Sequence, residues 1–162
     1  MKKYLLFLLF IIFSECTESN LAFHPGTNTS DGILKLVKNF GGSKNDVAKS
    51  VVSTLDGGFA VLGYTQSIDG DVTDKATEDY DFWMLKFDSE AQLEWNKTYG
   101  GSGDDRGRSI IETSDGGYAL LGYSDSTDGD VSSNNGNRDF WLVKITSSGM
   151  LSWQKSFGYE GL

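Results

Sequence analysis

One cysteine, one histidine and one proline in 162 residues remove much common small-protein chemistry at the outset. Cys16 has no partner for an internal disulfide, so a disulfide scaffold is excluded. His24 stands alone in a polar stretch, which leaves no residues for a Cys/His zinc site or a Ser-His-Asp triad. Positive charge is also scarce: 14 basic residues face 23 acidic ones, net −9. Without residues 1–15, which hold Lys2, Lys3 and Glu15, the balance is 12 against 22. Such a surface repels phosphate backbones, and no basic run overrules it, so nucleic acid is not an expected partner. With Pro25 the only proline, the 20 glycines make the turns. Apolar residues at 38%, 13% of the chain aromatic, suffice for a core, and the composition points to many short strands.

A long apolar run is missing as well. Residues 4–13 (YLLFLLFIIF) are the one continuous stretch, about half of the roughly 20 residues a membrane-spanning helix needs. Following Lys2 and Lys3, the run has the charged start and short apolar body of a secretory signal peptide, 1–15. Phe13-Ser14-Glu15-Cys16 resembles the lipobox of bacterial lipoproteins, in which the cysteine becomes the acylated first residue. It departs from that pattern at Glu15, where a small residue is usual, and at Phe13, where leucine is. Ordinary cleavage after Cys16 is the alternative, Ser14 and Cys16 supplying the small-x-small pair. The expectation is an exported protein of the cell envelope, anchored to the outer membrane or cell surface by a lipid on Cys16. That lipid is its only membrane contact. Residues 16–31 then form a polar tether.

The rest of the chain is a repeat. FGGSKNDVAKSVVSTLDGGFAVLGYTQSIDGDV, from Phe40, matches YGGSGDDRGRSIIETSDGGYALLGYSDSTDGDV, from Tyr99, 59 positions on. DFWMLKFDSEAQLEWNKT matches DFWLVKITSSGMLSWQKS 58 positions on. The expected organisation is an outer strand of a preceding unit at 32–39, repeat 1 at 40–98, repeat 2 at 99–156, and the start of a truncated third repeat at 157–162. Each repeat reads as four strands, in the first copy 47–53, 59–65, 81–87 and 93–98. Asp56-Gly57-Gly58 and Asp115-Gly116-Gly117 make the first hairpins, because these residues tolerate positive φ. DFWMLKF is nearly continuously apolar, as a strand buried on both faces requires.

Four antiparallel strands per unit of about 59 residues is the arithmetic of a β-propeller blade, so the expected class is all-β with tandem propeller-type blades. The motifs YGGS, DGGY, DGDV and DFWLVK resemble those of Bacteroidetes-type secreted proteins and lipoproteins with long propeller-like repeats. The resemblance covers residue 32 to the end. It implies a surface scaffold, and some related sequences carry endoglucanase or lectin-like labels. A ring takes 4 to 8 blades, so two leave it incomplete, to be completed by missing blades or self-association.

Three constellations are candidates for function. Asp69 and Asp71, repeated as Asp128 and Asp130, place carboxylates around glycine turns, the oxygen-rich arrangement a calcium ion takes. No EF-hand spacing is present, and solvated turns capped by their own aspartates are the plainer reading. No other cofactor is expected. Asp46, matched by Asp104 and Asp105, offers carboxylates of the kind glycosidases use, yet repetition in both units favours a turn-forming role. Trp83, Trp95, Trp141 and Trp153, with Tyr64, Tyr80, Tyr99, Tyr118 and Tyr123, are either sugar-stacking platforms or filling between sheets, and their fixed offsets favour filling. No nucleophile elbow or phosphate loop appears. A binding or structural scaffold taking a glycan or protein ligand is therefore favoured over a carbohydrate-active enzyme, with no catalytic residue assigned.

Overall fold

Alternating apolar residues between glycine turns fold here into eight strands. The computed structural model describes residues 38–158 apart from Gly136. The leader, Cys16 and the tether lie outside the described residues. So does the expected outer strand at 32–39, except for Lys38 and Asn39, which stand in no strand.

Sheet 1 comprises β1 (Asp46–Ser53), β2 (Phe59–Thr65), β3 (Asp81–Phe87) and β4 (Leu93–Tyr99). Sheet 2 comprises β5 (Asp105–Glu112), β6 (Tyr118–Ser124), β7 (Asp139–Ile145) and β8 (Leu151–Phe157). Both are antiparallel with neighbours in chain order, and no helix occurs among the described residues. The registers repeat too. Gly63 lies opposite Trp83 as Gly122 lies opposite Trp141, and the first strand of each sheet bulges at the same place, Ala48/Ser50 and Gly107/Ser109. The hairpin turns form as read, with positive φ at the middle glycine, and their aspartates add a bond the reading did not name. Asp56 and Asp115 each accept the N–H two residues on, at 3.0 Å, around Gly57 (φ +88°) and Gly116 (φ +76°).

The sheets stack face to face, β5 running against β1, β2 and β3. Ala60, Leu62, Phe82, Met84 and Tyr99 of sheet 1 share one core with Ile110, Tyr118, Leu120, Trp141, Val143 and Ile145 of sheet 2. Trp141 meets Phe82 edge to face at 4.8 Å and 67°, a geometry that adds about 0.5–1.5 kcal/mol to the burial itself. The indole N–H of each buried tryptophan finds an acceptor one strand over: Trp83 on Asn96 at 3.0 Å, Trp141 on Gln154 at 2.9 Å. Polar groups so buried need such partners.

β3 is buried at every position, as its apolar run predicts. β7, nearly the same sequence, alternates buried and more open positions. The tryptophans divide likewise: Trp83 and Trp141 are core, Trp95 is half-buried beside Tyr118, and Trp153 is exposed. For Trp95 and Trp153, which hold the same place in their sheets, residue type does not separate the cases; the presence of a covering sheet does.

Candidate functional site

One end of the two-sheet stack is built by the glycine-rich turns that lead into β1 and β5 and by the loops that follow β2 and β6. A turn of consecutive glycines exposes its N–H groups, and here four in a row are capped. Gly41 N–H donates to Asp71 at 3.0 Å, Gly42 to Asp46 at 2.8 Å, Ser43 to Asp69 at 2.8 Å and Lys44 to the Ser67 hydroxyl at 3.0 Å. In the second copy Gly100 donates to Asp130 at 3.2 Å, Gly101 to Asp105 at 2.8 Å, Ser102 to Asp128 at 2.7 Å and Gly103 to Ser126 at 2.8 Å. Gly70 and Gly129 allow the loop to come this close. Both have positive φ, +66° and +63°, and a Cβ on either would collide with the carbonyl of Gly41 or Gly100.

Asp69, Asp71, Asp128 and Asp130 therefore each place one oxygen on a backbone N–H. Among the described residues no three Asp, Glu, His or Cys side chains gather as a metal-holding group. Asp46 and Asp105 have the turn-forming role expected of them, the Ser67 and Ser126 hydroxyls donating to them at 3.0 and 2.7 Å. Asp104 pairs instead with Arg106 at 2.7 Å.

Beneath this end lies a buried charged cluster. Asp81 opens β3 and Asp105 opens β5; their carboxylates flank Gly100, where a Cβ would stand against both. The Lys75 ammonium, buried, reaches Asp79 at 2.5 Å and Asp81 at 2.9 Å. Oδ1 of Asp81 is buried without a hydrogen-bond partner. Burial pushes the Asp81 carboxyl up to about 7, against the pull of Lys75 and with help from the charges of Asp79 and Asp105. Burial also raises Asp105, against the Ser124 and Ser126 hydroxyls and the Gly101 N–H. In the second copy asparagine replaces the lysine. Asn134 donates to the carbonyls of Ser124 and Ser126 at 3.1 Å each, and Asp139 accepts the Asn135 N–H at 2.6 Å.

Beside the cluster, cations lie over a buried tyrosine, Tyr64, and over the more open Tyr80 and Tyr123. Lys49 from β1 and Arg106 and Arg108 from β5 all approach the Tyr64 ring, at 5.5, 5.3 and 5.7 Å from its centroid. Arg106 also lies 3.9 Å from the Tyr80 ring, and Arg108 and Arg138 lie 5.3 and 4.3 Å from that of Tyr123. Arg106 and Arg138 are tied by ion pairs to Asp104 and Asp125. Lys49 and Arg108 are exposed, and neither is in an ion pair among the described residues. The sequence reading named the tyrosines but missed these cations. The signal was there: Lys49 and Arg108 occupy the same repeat position, and Arg106 lies two residues from Arg108 on one strand. Net charge hid them.

No family model matches this sequence, and no curated protein matches it significantly.

Proposed function

We propose that this protein is an exported scaffold of the cell envelope, held by a lipid on Cys16, whose sheets are blades of propeller type and whose loop end binds an acidic glycan. One observation carries the ligand reading: three cations from two different sheets converge on Tyr64, and two of them, Lys49 and Arg108, are exposed and outside any described ion pair. A guanidinium fork and an ammonium beside aromatic rings suit a sugar carboxylate, which accepts paired hydrogen bonds while the pyranose ring lies along the half-buried Tyr80 and Tyr123. In a protein of net charge −9, a local positive strip selects such groups by position.

Hydrolysis is the weaker reading. Asp81 and Asp105 form a carboxylate pair, but burial raises both where a glycosidase needs one of them ionised, both side chains are buried, and Lys75 is already seated on Asp81.

The test is a glycan array run with calcium and with chelator, beside a hydrolysis assay on whatever is retained. Retention of uronic or sialic acid glycans, weakened at least about tenfold in Arg108→Ala and Lys49→Ala, is the expected outcome. Retention of neutral glycans alone, or turnover abolished by a single Asp→Asn change, overturns it. For the lipid, palmitate labelling that persists in Cys16→Ser, or is absent from both proteins, refutes attachment at that residue.

A further inference from the structure

The two sheets bear the same apolar residues on corresponding faces, and only one of those faces is covered. Leu62, Phe82 and Tyr99 of sheet 1 are 0, 0 and 4% exposed because sheet 2 lies over them. Their counterparts in sheet 2, Leu121, Phe140 and Phe157, are 42, 69 and 46% exposed. Trp153, the counterpart of half-buried Trp95, is 50% exposed. These four residues lie on one face: Phe140 is opposite Phe157 across β7 and β8, and Trp153 is opposite Lys144 four positions along. Leu121, on the neighbouring β6, is opposite Leu142, which lies two residues from Phe140 on the same face. A contiguous aromatic face of this kind on a strongly acidic protein marks an interaction surface.

The molecule itself shows what fits such a face. On sheet 1 the occupant is a four-stranded sheet that brings Trp141 edge to face onto Phe82, Tyr118 onto Trp95, and the Gly149 carbonyl onto the Tyr99 hydroxyl at 2.7 Å. Small residues admit it: Gly107 of β5 sits so close to Leu62 and to the Gly63 carbonyl that a Cβ would not fit without movement. The chain also leaves both sheets by one route. Gly100, after β4, stands against the Asp81 carboxylate, and Gly158, after β8, stands against Asp139, with no room for a Cβ at either place. Gly158 thus holds toward sheet 2 the place that Gly100 holds toward sheet 1.

We propose that this face docks a further four-stranded sheet of the same repeat, joined in line, with a large aromatic residue at the place of Trp141 seated on Phe140. The proposal rests on the propeller-type reading of the repeat and is independent of the ligand, so glycan retention neither supports nor weakens it.

The test compares the 162-residue chain with a version in which residues 99–156 are repeated once, in line, after Ser156, each with and without Phe140→Lys. The extended chain is expected to sediment as a monomer. Phe140→Lys lowers its melting temperature by roughly 10 °C, the shift for a lost core aromatic, and leaves that of the 162-residue chain within about 2 °C. Acrylamide quenching of Trp153 falls in the extended chain only. An equal shift in both chains, or in neither, overturns the proposal. So does an extended chain that fails to fold, since its added sheet has the sequence of sheet 2. A 162-residue chain that sediments as a dimer and is returned to monomer by Phe140→Lys makes the occupant a second copy, and overturns the in-line sheet.

Discussion

Replacing Asp81 by asparagine isolates the buried cluster in one atom. The carboxyl is displaced from 3.8 to about 7, with Lys75 already acting on it. A raised acid binds its proton more tightly in the folded chain than in the unfolded one. Its favourable contribution is therefore complete below pH 3.8, declines as the unfolded chain begins to release the proton, and is gone once pH passes about 7. A displacement from 3.8 to about 7, at 1.36 kcal/mol for each pH step, amounts to about 4 kcal/mol. Asp81→Asn mimics the protonated side chain at every pH. It should match the wild type near pH 4 and exceed it by up to about 4 kcal/mol at pH 8.5. Urea unfolding at half-unit steps from pH 4 to 9 measures this, fluorescence of the buried tryptophans following the transition. A wild-type stability that is flat or rising from pH 5 to 8.5, or a variant curve parallel to it, refutes the reasoning. Asp105 and Asp130, also raised by burial, act in the same direction. Asp56 and Asp115, held low by Lys86 and by Thr113 and Lys144, act oppositely, losing their contribution as pH falls below 3.8. Stability should peak near pH 4–5.

The two copies of one residue give a sharp comparison. Phe82→Ala should cost about 3–5 kcal/mol and Phe140→Ala no more than about 0.5 kcal/mol in the 162-residue chain, measured by the same urea titration. Gly129→Ala, which must hold φ near +63° with its Cβ against the Gly100 carbonyl, should lose about 1–3 kcal/mol, and its nuclear magnetic resonance shifts should move at 100–103 rather than in the strands. Chelator should leave the melting curve unchanged, because Asp69, Asp71, Asp128 and Asp130 already serve backbone donors; a lower melting temperature would assign a cation to those loops.

Strand positions were legible because turn chemistry and side-chain period agree everywhere. Asp-Gly-Gly ended β1 and β5, and the predicted strand ends lie within one residue of those observed. The capping of the glycine turns was half legible. Repetition of Asp46 and Asp105 indicated a turn, but nothing local said that Asp69 and Asp71 would reach back 26 to 30 residues to serve Ser43 and Gly41. Burial was the least legible. DFWMLKF and DFWLVKI are near-identical strings, yet the first is covered on both faces and the second on one. Hydrophobicity records what a face can accept and not whether a neighbour is present. The cation strip was lost in arithmetic of the same sort, since a net charge sums over a surface whose parts differ in sign.

The capped turns and the cation strip also bear on each other. Each loop is fixed to its turn by three side-chain acceptors, the fourth N–H being capped by Asp46 or Asp105 of the strand that follows the turn, and by a backbone bond from Asp71 to Gly41 or from Asp130 to Gly100, at 3.0 and 2.8 Å. Tyr80 ends the first of these loops, its carbonyl accepting the Asp105 N–H at 2.5 Å, and Arg138 ends the second, forked onto Asp125 at 2.8 and 2.9 Å. Tyr80 therefore stands at the end of a loop tied to its turn, while Lys49, Tyr64, Arg106 and Arg108 stand on strands. A ligand meeting them forgoes most of the loop-ordering entropy that binding to an open loop would cost. The same reasoning fixes how the site should fail. Removing a cap, as in Asp69→Ala, should weaken glycan retention by loosening Tyr80 and raise amide exchange at 41–45 together, whereas Arg108→Ala should weaken retention with exchange unchanged. Loss of retention in Asp69→Ala without faster exchange would place the aspartate in contact with ligand and refute its role as a cap.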